Sequence, residues 1–177
     1  VEGATTGYTA NNTCGQVGGG FLQMGTSGSV GAGTGKAWAF RAPGGTRINR
    51  ATGSFLVQGQ DDHGGHRSFF FYRPDGQADD ILMGHQGAGS AMGGFDTQQF
   101  SGPIDRIGVG VHCNSGTTCP NKPGIYSRIG DLELRMEDLV APSVPNLSGP
   151  ALGGWVSGSR AVNFTVSDSG AGVYVGN

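Results

Sequence analysis

The chain has 177 residues, 36 of them glycine, with 14% charged residues and a net charge of −2. That balance offers no basic field to a nucleic acid, and no apolar run approaches the ~20 residues of a membrane-spanning helix. Glycine disfavours a helix by about 1 kcal/mol per residue relative to alanine, so the composition argues against long helices and for an all-β chain with many turns.

Residues 1–20 are polar and glycine-rich and read as a surface segment. Phe21-Leu22-Gln23-Met24 is a short apolar patch ahead of a glycine-studded loop that ends at Gly35. Lys36–Arg41 alternates, with Trp38 and Phe40 on one face, and Ala42-Pro43-Gly44-Gly45 turns the chain. Arg47–Arg50 and Ser54–Gln58 carry two more strand signals. Arg67–Tyr72 is strongly β-favouring, with Phe70 and Tyr72 on one face and Phe69 and Phe71 on the other. Arg73-Pro74-Asp75-Gly76 is a turn by composition, and Ile81–Met83 is a short strand.

Over Ile104–His112, Ile107, Val109 and Val111 face one way, and Arg106, Gly108, Gly110 and His112 the other. Two glycines on one strand face admit a close neighbour. Ile125–Ile129 follows as a strand. In Asp131–Asp138 the alternation assigns Leu132, Leu134 and Met136 to the core and Glu133, Arg135 and Glu137 to solvent. Half-buried strands of this number and spacing predict a jelly-roll-like antiparallel β-sandwich over residues 21–140. Residues 141–150 hold three prolines and predict a semi-rigid linker. Residues 151–177 contain Ala161–Val166, with Val162, Phe164 and Val166 aligned, then a turn at Asp168–Gly172 and the start of another strand at Val173.

Ala141-Pro142-Ser143-Val144, Gly149, Trp155-Val156-Ser157-Gly158 and Val162–Val173 together resemble the opening of bacterial immunoglobulin-like repeats. The region with Trp38–Ile48 and Cys113 to Cys119-Pro120 resembles the jelly-roll domain that precedes such repeats in actinobacterial surface proteins. The resemblance implies a secreted, cell-surface protein with a partial immunoglobulin-like β segment at 151–177, and it carries over no catalytic residue. An immunoglobulin-like sandwich needs about 7 strands and ~100 residues. The segment present here holds two or three strands, so Trp155, Val162, Phe164 and Val166 are expected to lack cover within it and to form an assembly interface by strand addition.

Cys113 and Cys119 enclose five polar or small residues, with Gly116 placed to take a left-handed turn. That spacing predicts a disulfide and an oxidising compartment. Cys14 is left over. Asp61-Asp62-His63-Gly64-Gly65-His66 is the densest polar cluster. Its ligand types suit a metal ion, calcium at the aspartates being the candidate, although the spacing matches no defined metal signature and the bland reading is a solvated hairpin loop.

No catalytic constellation emerges. Glu133 and Glu137 lie roughly 13 Å apart along one strand, beyond the ~5–9.5 Å of a glycosidase pair. There is no Gly-x-Ser-x-Gly elbow opening a helix. The expectation is a non-enzymatic extracellular structural protein, an adhesin or filament subunit, needing no cofactor. The rival is a carbohydrate-binding module using Trp38, Tyr72 and Tyr126 as its aromatic platform.

Overall fold

Apolar residues at every second position, broken by glycine and proline turns, make the chain extended nearly throughout. Among the described residues the helical pieces are the 3-10 turns Thr97–Gln99 and Pro150–Leu152. The computed structural model describes residues 1–4, 6–15, 20–59, 65–78, 80–86, 89–99, 102–155 and 157–167, with backbone alone for 81–86 and 99. Its strands are β1 (Glu2–Gly3), β2 (Tyr8–Asn12), β3 (Phe21–Thr26), β4 (Gly35–Arg41), β5 (Thr46–Gly59) and β6 (His66–Pro74). They continue with β7 (Ile81–Gln86), β8 (Gly89–Asp96), β9 (Ile104–Cys113), β10 (Tyr126–Asp138), β11 (Ser143–Ser148) and β12 (Asn163–Ser167).

The first ten strands form one antiparallel sheet that curls on itself. One arm runs β1–β4–β9–β6–β7 and the other β8–β5–β10–β3–β2, and the arms join at the pair Ile48↔Ile104. Their inner faces meet. Phe70 of the first arm lies 5.0 Å from the Phe55 ring and 4.8 Å from the Phe95 ring of the second. Trp38 Nε1 donates to the Gln23 carbonyl across the same gap at 3.0 Å. The expected all-β, sandwich-like architecture is thus the one observed.

Two buried clusters fill the interior. One gathers Ile48, Val57, Phe70, Ile104, Ile107, Val109 and Ile129, the other Met24, Val30, Val111, Cys113, Cys119 and Ile125, and Trp38 packs on both. Full burial of each Val, Ile, Met or Phe among them stabilises the fold by about 1.5–3 kcal/mol. The close neighbours of the β9 glycines are the chain's own rings. Phe71 pairs opposite Gly108 and Phe69 opposite Gly110. A Cβ at those positions would come within 2.7 and 2.6 Å of ring carbons.

Several local expectations change. The 1–20 segment contributes two strands to the sheet, because Tyr8 is buried and its hydroxyl donates to the Thr34 carbonyl at 2.7 Å. Arg47–Arg50 and Ser54–Gln58 merge into the single strand β5. In β10 the alternation holds through Leu132 and Leu134, which pack on the core, but Met136 is 43% exposed. Gly116 is not among the left-handed glycines, so the disulfide loop closes without that conformation.

Contacts divide the chain into two units, Val1–Ala42 with Ile48–Arg135, and Pro43–Arg47 with Met136–Asn177. Within the second, Arg47 Nε donates to Glu137 Oε2 at 2.9 Å and Leu139 N to the Gly45 carbonyl at 2.9 Å. The proline-rich stretch 141–150 read as a linker contains the strand β11, paired antiparallel with β12. Pro145 falls at the register shift between Ser143 and Asn146, where its missing N–H interrupts no regular ladder.

Candidate functional site

The β11–β12 ribbon has two unlike faces. Leu147 pairs opposite Phe164, and strand alternation puts Val166 on the same side, while Asn146↔Thr165 and Ser148↔Asn163 form the polar side. Ser143 and Ser167 hydroxyls close its end at 2.8 Å. Its apolar side is wet: Phe164 is 61% exposed and Leu147 55%. Val162, just before β12, and Trp155 are exposed too, whereas Val166 is half-buried. The structure therefore leaves three of the four expected interface residues in water and partly shields the fourth. The turn and strand expected from Asp168 onward lie outside the described residues.

The Cys113–Cys119 disulfide is formed, with Cα atoms 5.8 Å apart. It is built into the sheet, since Val30 and Cys119 exchange both backbone hydrogen bonds, 3.0 and 2.9 Å. Cys14 is a free, exposed thiol. Of the expected metal ligands, Asp61, Asp62 and His63 lie outside the described residues. His66 lies in β6 opposite Cys113, buried, with neither ring nitrogen hydrogen-bonded. Burial, reinforced by the Lys122 charge, holds its imidazole below the usual histidine range. Ser68, two residues on and on the same strand face, buries an unbonded hydroxyl. Among the described residues no three His, Cys, Asp or Glu side chains gather as a metal group.

The expected aromatic platform is dispersed. Tyr72 is only 8% exposed and belongs to the core cluster, because β6 alternation turns it inward with Phe70. Trp38 is partly buried between the two clusters, with its N–H spent on the Gln23 carbonyl. Tyr72 serves packing and offers no ring face to a ligand, a correction to the sequence reading, while Trp38 is partly engaged in the core. Tyr126 alone lies on the outer face, beside a guanidinium that the sequence did not single out. Arg128 sits 4.6 Å from the Tyr126 ring and 4.4 Å from the Phe21 ring, and its Nε donates to Gln23 Oε1. The two strands that meet here, β3 and β10, are about a hundred residues apart in sequence, so local periodicity could not bring Arg128 and Phe21 together.

The outer face of the opposite arm carries a second charged group. Arg41, Arg106 and Arg73 are in register across β4, β9 and β6. Three guanidiniums in a row would repel, and acidic residues interleave them. Glu2 bonds Arg41 at 2.5 Å and also Arg106, Asp80 bonds Arg106 at 2.5 Å, and Asp105 bonds Arg73 at 2.7 Å. Arg41, with Arg106 adding to it, holds the Glu2 carboxyl below the usual range, while burial pushes Asp80 up despite its cationic neighbours. Three positive charges meet three negative ones, and Arg106 also lies 4.8 Å from the Phe71 ring. Within this group the guanidiniums and carboxylates balance. Among the described residues no helix is long and apolar enough to cross a membrane. The sequence matches no protein-family model and no curated protein.

Proposed function

We propose that this is a secreted, non-enzymatic structural or adhesive protein that assembles through the β11–β12 ribbon. The observation that carries the reading is the wet apolar side of that ribbon, with Leu147 and Phe164 opposite each other and more than half exposed. A two-stranded ribbon is marginal in water by itself, and a strand or sheet from a second copy laid against it would cover these side chains. Removing apolar surface from water favours that contact by about 25 cal/mol per Å². The buried disulfide fits an oxidising exterior. A head-to-tail contact of this kind gives a ring when the rotation closes and a filament when it does not.

Light scattering coupled to size-exclusion chromatography of the full chain tests this. The wild type is expected to shift to larger species as concentration rises, and Phe164→Asp and Leu147→Asp to stay monomeric. A wild type that remains monomeric at every concentration, without filaments by negative stain, overturns the reading.

A further inference from the structure

The outer face of the β8–β5–β10–β3–β2 arm presents side chains of two kinds. Strand pairing sets Leu56 beside Met92, Arg128 beside Gln23, and Gln23 beside Asn11. A depression of about 240 Å³ opens among them, lined by Phe21, Ser54, Leu56, Met92, Arg128 and Asp131. Its volume is below the ~300–1,000 Å³ of an enclosing small-molecule pocket, so it suits one unit of a polymer laid across the strands.

Arg128 differs from the carboxylate-bonded arginines of the sheet. Arg41, Arg50, Arg73 and Arg106 each bond a carboxylate. Arg128 is instead held between the Phe21 and Tyr126 rings, with its Nε on the Gln23 amide oxygen. No described residue accepts from its Nη atoms. A guanidinium carries five N–H donors in a rigid fork that matches the two oxygens of a carboxylate. Fixing it beforehand lowers the ordering cost of binding.

Asp131 lies beside it and accepts from the Ser54 hydroxyl at 3.3 Å. It is the one non-glycine residue with positive φ among those described, at 51°, and strain of this kind concentrates at functional sites. An aspartate and a serine offer hydrogen bonds to sugar hydroxyls, and Leu56 and Met92 offer apolar surface to sugar C–H faces.

We propose that this face binds a carboxylated polysaccharide, with Arg128 gripping a uronate carboxylate and Ser54 and Asp131 engaging neighbouring hydroxyls. Affinity electrophoresis of the full chain in polygalacturonate, alginate and hyaluronate tests the proposal. Carboxyl-reduced polygalacturonate and dextran sulfate serve as controls. At least one uronate polymer should retard the wild type. Binding should fall at least tenfold for Arg128→Gln and for the carboxyl-reduced polymer.

Met92→Glu supplies a second variant at a side chain that is 80% exposed and outside both core clusters. It adds a like charge beside the carboxylate and should also weaken binding. No retardation by any uronate polymer overturns the proposal. So does equal binding by wild type and both variants, or tighter binding of dextran sulfate that ignores Arg128→Gln, which would identify an unspecific polyanion effect.

Discussion

His66 places an imidazole in the protein interior with no hydrogen-bond partner for either nitrogen. Its folded-state pKa lies below the ordinary ~6.5, so on acidification the unfolded chain takes up this proton first. Stability from this site is complete above ~6.5 and declines as pH falls toward the folded-state value. Melting temperature should therefore drop between pH 7 and 5, and His66→Leu should abolish that limb. A limb that persists in the variant would assign it to another group. A second decline belongs to Glu2 and Asp96, whose carboxyls Arg41 and Arg50 hold down. Their contribution is present above the ordinary ~3.9–4.3 and is lost as pH falls further. Gly108 is the other decisive single position. A Cβ there would stand 2.0 Å from the Trp38 carbonyl oxygen, whereas at Gly116 it would meet nothing within 4 Å. Gly108→Ala should cost about 3 kcal/mol in chemical denaturation, and Gly116→Ala about 0.5 kcal/mol or less.

At the level of strands and loops, the disulfide links residues six apart, and closing so short a loop stabilises the fold by about 2 kcal/mol in the chain-entropy account. Cys113→Ser with Cys119→Ser should lower the melting temperature by roughly 5 °C, and an unchanged value would show that the loop is held by the Val30 bridge alone. This bond was readable from spacing, as were the inward Ile107, Val109 and Val111 of β9, because both depend on neighbours within a few residues. The alternation in β10 stopped predicting burial at Met136, since exposure there depends on what packs opposite. Tyr72 was misread for the same reason. An aromatic on a strand looks alike whether its face meets solvent or the opposite arm, and only the pairing of two distant arms decides. Residues 1–20 read only as a surface segment because their strands are short and polar and pair with the distant β3 and β4.

On the scale of the whole molecule, both core clusters lie within the unit formed by Val1–Ala42 and Ile48–Arg135. Substitutions on the exposed side of β11–β12 should therefore separate assembly from folding. Phe164→Asp is expected to abolish concentration-dependent association while the main calorimetric transition stays within about 1 °C of wild type, as for surface changes worth ~0.5 kcal/mol or less. A large drop would mean that the ribbon contributes to the main cooperative unit. The strand order itself lay beyond the sequence. That β9 sits between β4 and β6, or β10 between β5 and β3, follows from long-range closure of the sheet, which no local pattern encodes.

At one border of the curled sheet, Glu2 of β1 is clasped by Arg41 and Arg106. An intruding chain would meet that knot of fixed charge. Fixed charge at a border opposes the indiscriminate edge-to-edge stacking that bare strands invite.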